Sequence, residues 1–177
     1  MKPFRLSILL LFFIFMPTIF ADSAVSSGAT YDLGFSPGET SLSVVLKAIN
    51  SSRTSLYIAC YEFTSRDIAE AIEAAAHRGV KVRIVADFKA SRQKYSQIPI
   101  LKAAGIPVRL DEHYSIMHNK FIVIDGSSVE TGSFNYTTAA IKHNAENALV
   151  LWHVPALAAK YTAEFERLWA ESVSPKS

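Results

Sequence analysis

Residues 118–126 read His-Asn-Lys-Phe-Ile-Val-Ile-Asp-Gly, and residues 132–135 read Gly-Ser-Phe-Asn. The first stretch opens with a histidine and a lysine two positions apart and closes an apolar run with Asp-Gly. Because alternate residues of a strand share one face, a strand over 118–125 places His118 and Lys120 on the same side at its start. A histidine and a lysine at this spacing often occur by chance, but the Asp-Gly and the Gly-Ser-x-Asn make the pattern specific.

These two stretches supply the groups that phosphodiester chemistry needs. The imidazole of His118 is nucleophilic and transfers protons near neutral pH. Lys120 places a fixed cation against the nonbridging phosphate oxygens. Ser133 and Asn135 offer hydroxyl and amide donors, and backbone N–H groups near Gly132 add to them, especially if Asn135 begins a short helix.

Two carboxylates are candidates for supporting roles. A histidine that attacks phosphorus needs a fixed tautomer, and Glu146, which starts a predicted strand, is the candidate for holding it. The alternative for Glu146 is a charge that solvates a strand edge. Asp125 precedes Gly126, and aspartate before glycine forms turns in its own right, so we expect a structural role for Asp125.

The beginning of the chain has the layout of a secretory signal peptide. Lys2 and Arg5 precede an apolar run over residues 6–16, and small residues follow near the predicted cleavage region at 21–24. The alternative is a retained membrane anchor, for which the apolar run is short. We therefore predict a signal peptide over residues 1–21 and a periplasmic or secreted protein.

The remaining residues 22–177 have the composition of one compact domain. The chain has 177 residues, of which 50% are hydrophobic and 19% charged. Without Lys2 and Arg5 it has 16 basic residues against 16 acidic ones, so a polyanion must bind a local patch. The candidates for such a patch are Lys89, Arg92 and Lys94, with Tyr95 and Tyr114 to stack on bases; the alternative is a solvated helix face.

Strand and helix patterns alternate along this domain. Residues 23–30 read as a polar lead-in, and the single cysteine, Cys60, reads as a buried core residue. Helices are predicted from a capping box at 36–39 to about residue 49, from a capping box at 64–67 to Gly79, over 95–104 and over 155–170. Strands are predicted over 55–63, 81–87, 107–111, 118–125, 128–131 and 146–152. The alternation predicts an α/β sandwich with helices on both faces of the sheet.

The H-x-K-x4-D pattern of His118, Lys120 and Asp125, followed by Gly132-Ser133-x-Asn135, resembles the signature of the phospholipase D superfamily. The resemblance implies a mixed central β-sheet between helices. A short secreted chain with a single motif is similar to the bacterial endonucleases of that superfamily. No second H-x-K-x4-D occurs in the chain.

The resemblance also implies roles for the site residues. His118 would form a covalent phosphohistidine, Lys120 and Asn135 would bind phosphate, Ser133 would assist, and Glu146 would orient His118, with no metal or other cofactor. Members with two motifs use two histidines. A single motif therefore implies a two-fold homodimer in which His118 of each subunit faces the other.

We therefore expect a metal-independent, sequence-nonspecific endonuclease that hydrolyses DNA and RNA and has no stable membrane association once the signal is removed. Phosphate contacts carry no sequence information, which is the basis for expecting little sequence preference. Two alternatives remain open, a lipid phosphodiesterase and a non-catalytic periplasmic polyanion-binding protein. A metal-dependent nuclease built on His143-Asn144 is a third.

Overall fold

The computed structural model describes residues 27–174, so the predicted signal peptide and its cleavage region lie outside the described residues. The strands are β1 (Thr30–Ser36), β2 (Ser55–Cys60), β3 (Lys81–Asp87), β4 (Val108–Asp111), β5 (Phe121–Ile124), β6 (Ser128–Gly132) and β7 (Glu146–Trp152). The helices are α1 (Thr40–Ser51), α2 (Arg66–His77), α3 (Phe88–Ser91), α4 (Ile98–Ala103), α5 (Thr138–Lys142) and α6 (Pro155–Glu171).

The strands form one sheet in the order β1-β7-β6-β5-β2-β3-β4. Strands β2, β3 and β4 are parallel, because helical crossovers return the chain to the same end of the sheet each time. Strand β5 is antiparallel to β2, and β6, β7 and β1 continue as antiparallel neighbours. The predicted mixed sheet is confirmed.

Helices cover both faces of this sheet, as predicted. Helices α1, α2, α4 and α5 pack on one face over the larger core, and α6 packs on the other over a smaller one. Helix α2 buries Ile68, Ile72 and Ala75, one stripe of an amphipathic helix. In α6, Phe165 is fully buried and stacks on Tyr57 of β2, with ring centroids 5.0 Å apart.

Cys60 is fully buried in the larger core, which confirms its predicted place. Burial raises the pKa of its thiol to about 12. A thiol of this kind stays protonated at neutral pH and behaves as a small apolar side chain.

The N-terminal part of the domain differs from the prediction. Strand β1 was not predicted, since no element was assigned to residues 31–35. It also includes Thr30, the end of the predicted lead-in, and Ser36 of the predicted capping box, which pairs with Glu146 in the sheet. Helix α1 begins at Thr40, behind a Glu39 that makes no side-chain cap. The Thr40 hydroxyl instead bonds the backbone of Phe35 and ties the helix to β1.

Several element boundaries also differ. The cap of α2 is Ser65 rather than Thr64, since the Ser65 hydroxyl accepts from the Ile68 N–H. The helix predicted over 95–104 is the shorter α4, and the one-turn helix α3 before it was missed. Strand β5 begins at Phe121, so His118 and Lys120 lie just before it. Helix α5 is capped by Thr137, so the short helix does not begin at Asn135.

Within residues 27–174, none of the helices combines the length and the apolar character that crossing a membrane requires.

Candidate active site

The register of the sheet brings the predicted site residues to one edge. Phe121 at the start of β5 pairs with Ala59 near the end of β2 and with Thr131 near the end of β6. Gly132 at the end of β6 pairs with Ala148 near the start of β7. The ends of β2 and β6 and the starts of β5 and β7 therefore meet. The segments that follow or precede them carry His118, Lys120, Ser133, Asn135 and Glu146.

His118 and Lys120 meet around the ring of Tyr61, which directly follows β2. The ring centroids of His118 and Tyr61 are 4.8 Å apart, and Lys120 Nζ lies 5.4 Å from the Tyr61 centroid. Lys120 Nζ also donates to the His118 carbonyl at 2.7 Å. The His118 side is exposed, whereas Lys120 is only 8% exposed. Tyr61 was not predicted as a site residue. It directly follows a parallel strand, and α/β sheets place their binding sites at the carboxyl ends of such strands, so its position could have identified it.

The charge of Lys120 is set by two opposing influences. Burial lowers the pKa of its ammonium below the usual value, and the nearby carboxylates of Glu146 and Glu62 act in the other direction. Glu146 therefore helps to keep a half-desolvated cation charged. A fixed cation in a site that excludes water stabilises a phosphate more strongly than one in solvent does.

Ser133 and Glu146 form a hydrogen-bonded pair at the mouth of the site. Ser133 Oγ donates to Glu146 at 2.5 Å and accepts from the Asn147 N–H at 3.1 Å. The other Glu146 oxygen accepts from the Asn144 amide at 3.0 Å. Among the described residues these are the hydrogen-bond partners of Glu146, so the contact with His118 that the resemblance implies is not made in this conformation.

Gly132 allows the chain to turn tightly into the segment with Ser133 and Asn135. A Cβ at Gly132 would collide with the carbonyl oxygen of Asn147, and the N–H groups of Ser133 and Phe134 both donate to that oxygen. Within the described residues, the side-chain oxygen of Asn135 is buried without a hydrogen-bond partner. This oxygen is thus not used in holding the fold.

Asp125 lies at the opposite end of β5, away from the other site residues. Its carboxylate accepts from the N–H groups of Arg53, Thr54 and Ser55 and from the Thr54 hydroxyl, at 2.7–3.1 Å. Burial raises the pKa of Asp125, but these hydrogen bonds outweigh burial and leave the pKa below its usual value. Asp125 fastens the β5–β6 turn to the start of β2.

Two buried aspartates that sequence reasoning missed hold the segment leading to His118. Asp87 and Asp111 are paired in register at the ends of β3 and β4. Asp87 accepts from the Met117 N–H at 3.0 Å, and Asp111 accepts from the His113 N–H at 3.0 Å. Each is the last residue of a parallel strand, where α/β sheets place their binding sites, so this position could have identified both aspartates from the sequence.

The predicted basic cluster does not form one patch. Lys89 reaches the Ser115 carbonyl, and Arg92 lies over the Phe88 ring at the side of a cavity of about 780 Å³ near β4. Lys94 and Tyr95 line a separate groove of about 490 Å³, together with Arg66. Tyr114 bonds Arg167 of α6 instead.

This groove adjoins the site. Thr64 and Thr138 also line it, and the Thr64 N–H donates to the carbonyl of Tyr136, the residue after Asn135. Tyr95 is 70% exposed at its rim. Arg66, missed by sequence reasoning, lies in the first turn of α2.

His143 and Asn144, the alternative metal-nuclease pair, follow α5. His143 is exposed, and Asn144 donates to Glu146. Over residues 27–174, no three histidine, cysteine, aspartate or glutamate side chains come together in a metal-binding arrangement.

Comparison with known proteins identifies relatives of this domain. The sequence model of a family described as "Cardiolipin synthase, PLD-like domain" matches residues 45–169. The chain is 39% identical over 134 residues to a mitochondrial cardiolipin hydrolase of Canis lupus familiaris, covering 76% of this chain and 52% of that protein. It is 39% identical over 117 residues to a phospholipase D of Rickettsia conorii, covering 66% of this chain and 58% of that protein. The chain thus spans little more than half the length of these curated relatives.

Solved structures agree with this assignment. Nuc from Salmonella typhimurium, a phospholipase D family member, superposes with a TM-score of 0.81 at 38% identity, covering 84% of this chain and 99% of Nuc. NucT from Helicobacter pylori superposes with a TM-score of 0.76 at 30% identity, covering 83% of this chain and 99% of NucT. The family match, these superpositions and the H-x-K-x4-D signature at the sheet edge show that the chain belongs to the phospholipase D superfamily.

Proposed function

We propose that the protein is a phosphodiesterase acting as a metal-independent, sequence-nonspecific endonuclease on DNA and RNA. The observation that carries this proposal is the meeting of His118, Lys120, Ser133, Asn135 and Glu146 at one sheet edge in a superfamily member. The superposition that covers 99% of Nuc, and the resemblance to single-motif bacterial endonucleases, support the nuclease assignment.

In the proposed reaction His118 is the nucleophile. One ring nitrogen attacks phosphorus, so that a P–N bond forms while the P–O bond to the leaving alkoxide breaks. Lys120 and the donors of Ser133 and Asn135 stabilise the charge on the nonbridging oxygens. The second subunit's His118 gives a proton to the alkoxide. It then takes one from water, whose oxygen attacks the phosphohistidine and restores His118.

Glu146 has a supporting role in this proposal. Its charge opposes the effect of burial on Lys120, which keeps the cation available for phosphate. Orientation of His118 by Glu146 is the second part of this role. It requires Glu146 to exchange its bond with Ser133 for one with the imidazole.

The groove beside the site favours a nucleic acid over a lipid substrate. Arg66 and Lys94 can contact backbone phosphates, and the exposed ring of Tyr95 can stack on a base. The names of the cardiolipin hydrolase and phospholipase D relatives support the second candidate, a lipid phosphodiesterase.

One substrate panel tests the proposal. Purified protein is incubated in excess EDTA with supercoiled plasmid, single-stranded RNA, phosphatidylcholine vesicles and cardiolipin vesicles. We expect nicking of the plasmid and cleavage of the RNA, without hydrolysis of either lipid. Lipid hydrolysis alone would reassign the enzyme to the second candidate, and cleavage that EDTA abolishes would contradict the metal-independent mechanism.

Variants at two histidines complete this test. His118→Ala should lose cleavage but keep nucleic-acid binding, whereas His77→Gln, in the last turn of α2 at the opposite sheet edge, should cleave normally. Binding without cleavage in the unmodified protein would instead favour the non-catalytic polyanion binder.

We also propose that two copies form the active unit. On β1, Tyr31, Leu33 and Phe35 are 69%, 46% and 61% exposed and form one apolar face of the edge strand. This face reaches the site, since Phe35 and Ser36 pair with Asn147 and Glu146. A second copy seated there would bury the apolar face and bring a second His118 towards the first.

Oligomeric state and activity test this pairing together. Leu33→Glu should give a monomer with at least about tenfold lower cleavage, because a buried unpaired charge opposes association. Ala159→Glu, on the exposed side of α6, is the matched control and should leave both properties unchanged. A wild-type protein that sediments as a monomer and cleaves at full rate would contradict the shared site.

A periplasmic or secreted location, based on residues 1–24, is a further part of this proposal. Cell fractionation, with mass determination of the mature N-terminus, tests it. We expect protein outside the cytoplasm whose first residue falls near 22–25, and an intact residue 1 in the cytoplasm would contradict it.

A further inference from the structure

Glu130 is a carboxylic acid inside the larger core. It lies on β6 between Ile122 of β5 and Val150 of β7, and its side chain is 1% exposed. The hydroxyl of Tyr136, itself fully buried, donates to Glu130 Oε2 at 2.8 Å. The proposed reaction uses neither side chain.

This hydrogen bond closes a loop of chain that carries Ser133 and Asn135. Before them, the N–H groups of Ser133 and Phe134 donate to the Asn147 carbonyl. After them, the Tyr136 carbonyl accepts from the N–H groups of Thr64 and Ser65 at 2.9 Å each. Between these points Phe134 is buried in the larger core and the Ser133 hydroxyl bonds Glu146 and the Asn147 N–H. The side chain of Tyr136 is a further anchor, and it ends on Glu130.

A buried acid at this position is costly in stability. Burial raises the pKa of Glu130 to about 8, so the carboxyl is neutral at pH 7. Besides Glu130 and Tyr136 themselves, the titratable group that acts on the pair is the thiol of Cys60, near Tyr136. A well-packed apolar pair of similar volume would fill the core at least as well, so stability alone does not account for an acid and a phenol here.

We propose that the Glu130–Tyr136 hydrogen bond is a positioning contact that fixes Ser133 and Asn135 for their work on the phosphate. The inference rests on the proposed function of that site. Hydrogen-bond donors that are held in the productive geometry contribute mainly to kcat. Even a small displacement of these donors from that geometry lowers kcat. The Tyr136 hydroxyl donates to a carboxylate at least as strongly as to a carboxylic acid, so the contact does not depend on whether Glu130 is ionised.

Two variants separate positioning from stability. Tyr136→Phe removes the hydroxyl, and we expect kcat to fall about tenfold with KM changed less than about twofold. Glu130→Gln keeps an oxygen that accepts the Tyr136 hydrogen bond and cannot ionise. It should keep wild-type kcat at pH 7, because the Tyr136 hydroxyl still has its acceptor.

Ile72→Val is the control, because Ile72 is fully buried in the same core on α2 and only its packing is reduced. Should Tyr136→Phe lower the thermal stability further than Ile72→Val, Ile72→Ala serves instead. The control should keep the wild-type kcat and KM. Equal kcat in Tyr136→Phe and the control, or a kcat of Glu130→Gln as low as that of Tyr136→Phe, would overturn the proposal.

Hydrogen exchange gives a readout that needs no substrate. In Tyr136→Phe, protection factors of the Ser133 and Phe134 amides should fall about tenfold, while the control leaves them unchanged. A protein that cleaves no phosphodiester but shows this loss would refute the proposed function and keep the anchoring. Unchanged protection in Tyr136→Phe would refute the anchoring whatever the substrate.

Discussion

The two ends of β5 carry the two ends of the H-x-K-x4-D motif, and they do different work. At its start, His118 is exposed and the buried Lys120 places its ammonium over the ring of Tyr61. At its end, the Asp125 carboxylate is surrounded by donors from Arg53, Thr54 and Ser55.

The spacing of the motif follows from this difference. The four residues between Lys120 and Asp125 are the strand Phe121–Ile124. The five residue steps from Lys120 to Asp125, at about 3.3 Å each, separate the two ends by roughly 16 Å, so one phosphate cannot contact both. In the proposed reaction the start of the motif is chemical, whereas the end is architectural, and we expect that each can be altered without the other.

The largest expected effect is on activity, at the chemical end. Lys120→Met should lower cleavage about 100- to 1,000-fold, because it removes the cation that faces the developing charge. The free energy of unfolding should not fall, since an apolar side chain is easily placed where Lys120 is buried. Steady-state cleavage and urea unfolding measure the two quantities.

Lys81→Met is the matched control, because Lys81 is an exposed lysine at the start of β3, on the opposite sheet edge. Cleavage by Lys120→Met within about threefold of this control would show that the start of β5 is not the chemical end.

The next effect is on stability, at the architectural end. Asp125→Ala should lower the free energy of unfolding by about 2–4 kcal/mol, because three N–H donors lose their acceptor. Alanine also fits the positive φ of 51° at this turn less well than aspartate does. Activity per folded molecule should stay within about threefold of wild type, and a loss like that of Lys120→Met would erase the distinction between the two ends.

Acid should remove the contribution of Asp125. Its pKa is lowered in the folded state, so its stabilisation is fully present above the ordinary value of 3.8 and is lost as the pH falls through the lower folded value. Asp125→Asn keeps the shape without the charge. The difference in unfolding free energy between wild type and Asp125→Asn should be constant from pH 5 to 7 and shrink below about pH 4. A difference that persists unchanged at pH 2.5 would contradict this account.

Much of the fold could be predicted from sequence because its signals are local. Strand β3 has the predicted bounds, and α2 and α6 follow their amphipathic patterns closely. Strand β1 was missed although Tyr31, Leu33 and Phe35 alternate with other residues as in a strand. The run is short, and its partner β7 lies more than 100 residues away. A pairing between such distant segments leaves no mark on either segment alone.

The same distinction applies to the site. The motif residues could be identified because they are close in sequence. Tyr61, Asp87 and Arg66 come to the site from other elements. The partners of Asp125, some 70 residues earlier, were equally invisible, although its turn with Gly126 was predicted. The local sequence indicates which residues are candidates for chemistry and which form turns. The contacts that position these residues come from distant segments and depend on the order of strands in the sheet.

The smallest expected effect is on the free energy of unfolding, and it measures how much one of the hydrogen bonds to Asp125 contributes. Thr54→Val removes only the hydroxyl bond to Asp125, of 2.9 Å, and keeps the N–H bond and the branched shape. It should lower the free energy of unfolding by about 0.5–1.5 kcal/mol, less than Asp125→Ala does. In the Asp125→Ala background the same change should cost nothing, because the acceptor is already gone. Equal costs in both backgrounds would mean that Thr54 stabilises the turn independently of the carboxylate, and the end of β5 would then be held by packing rather than by the aspartate of the motif.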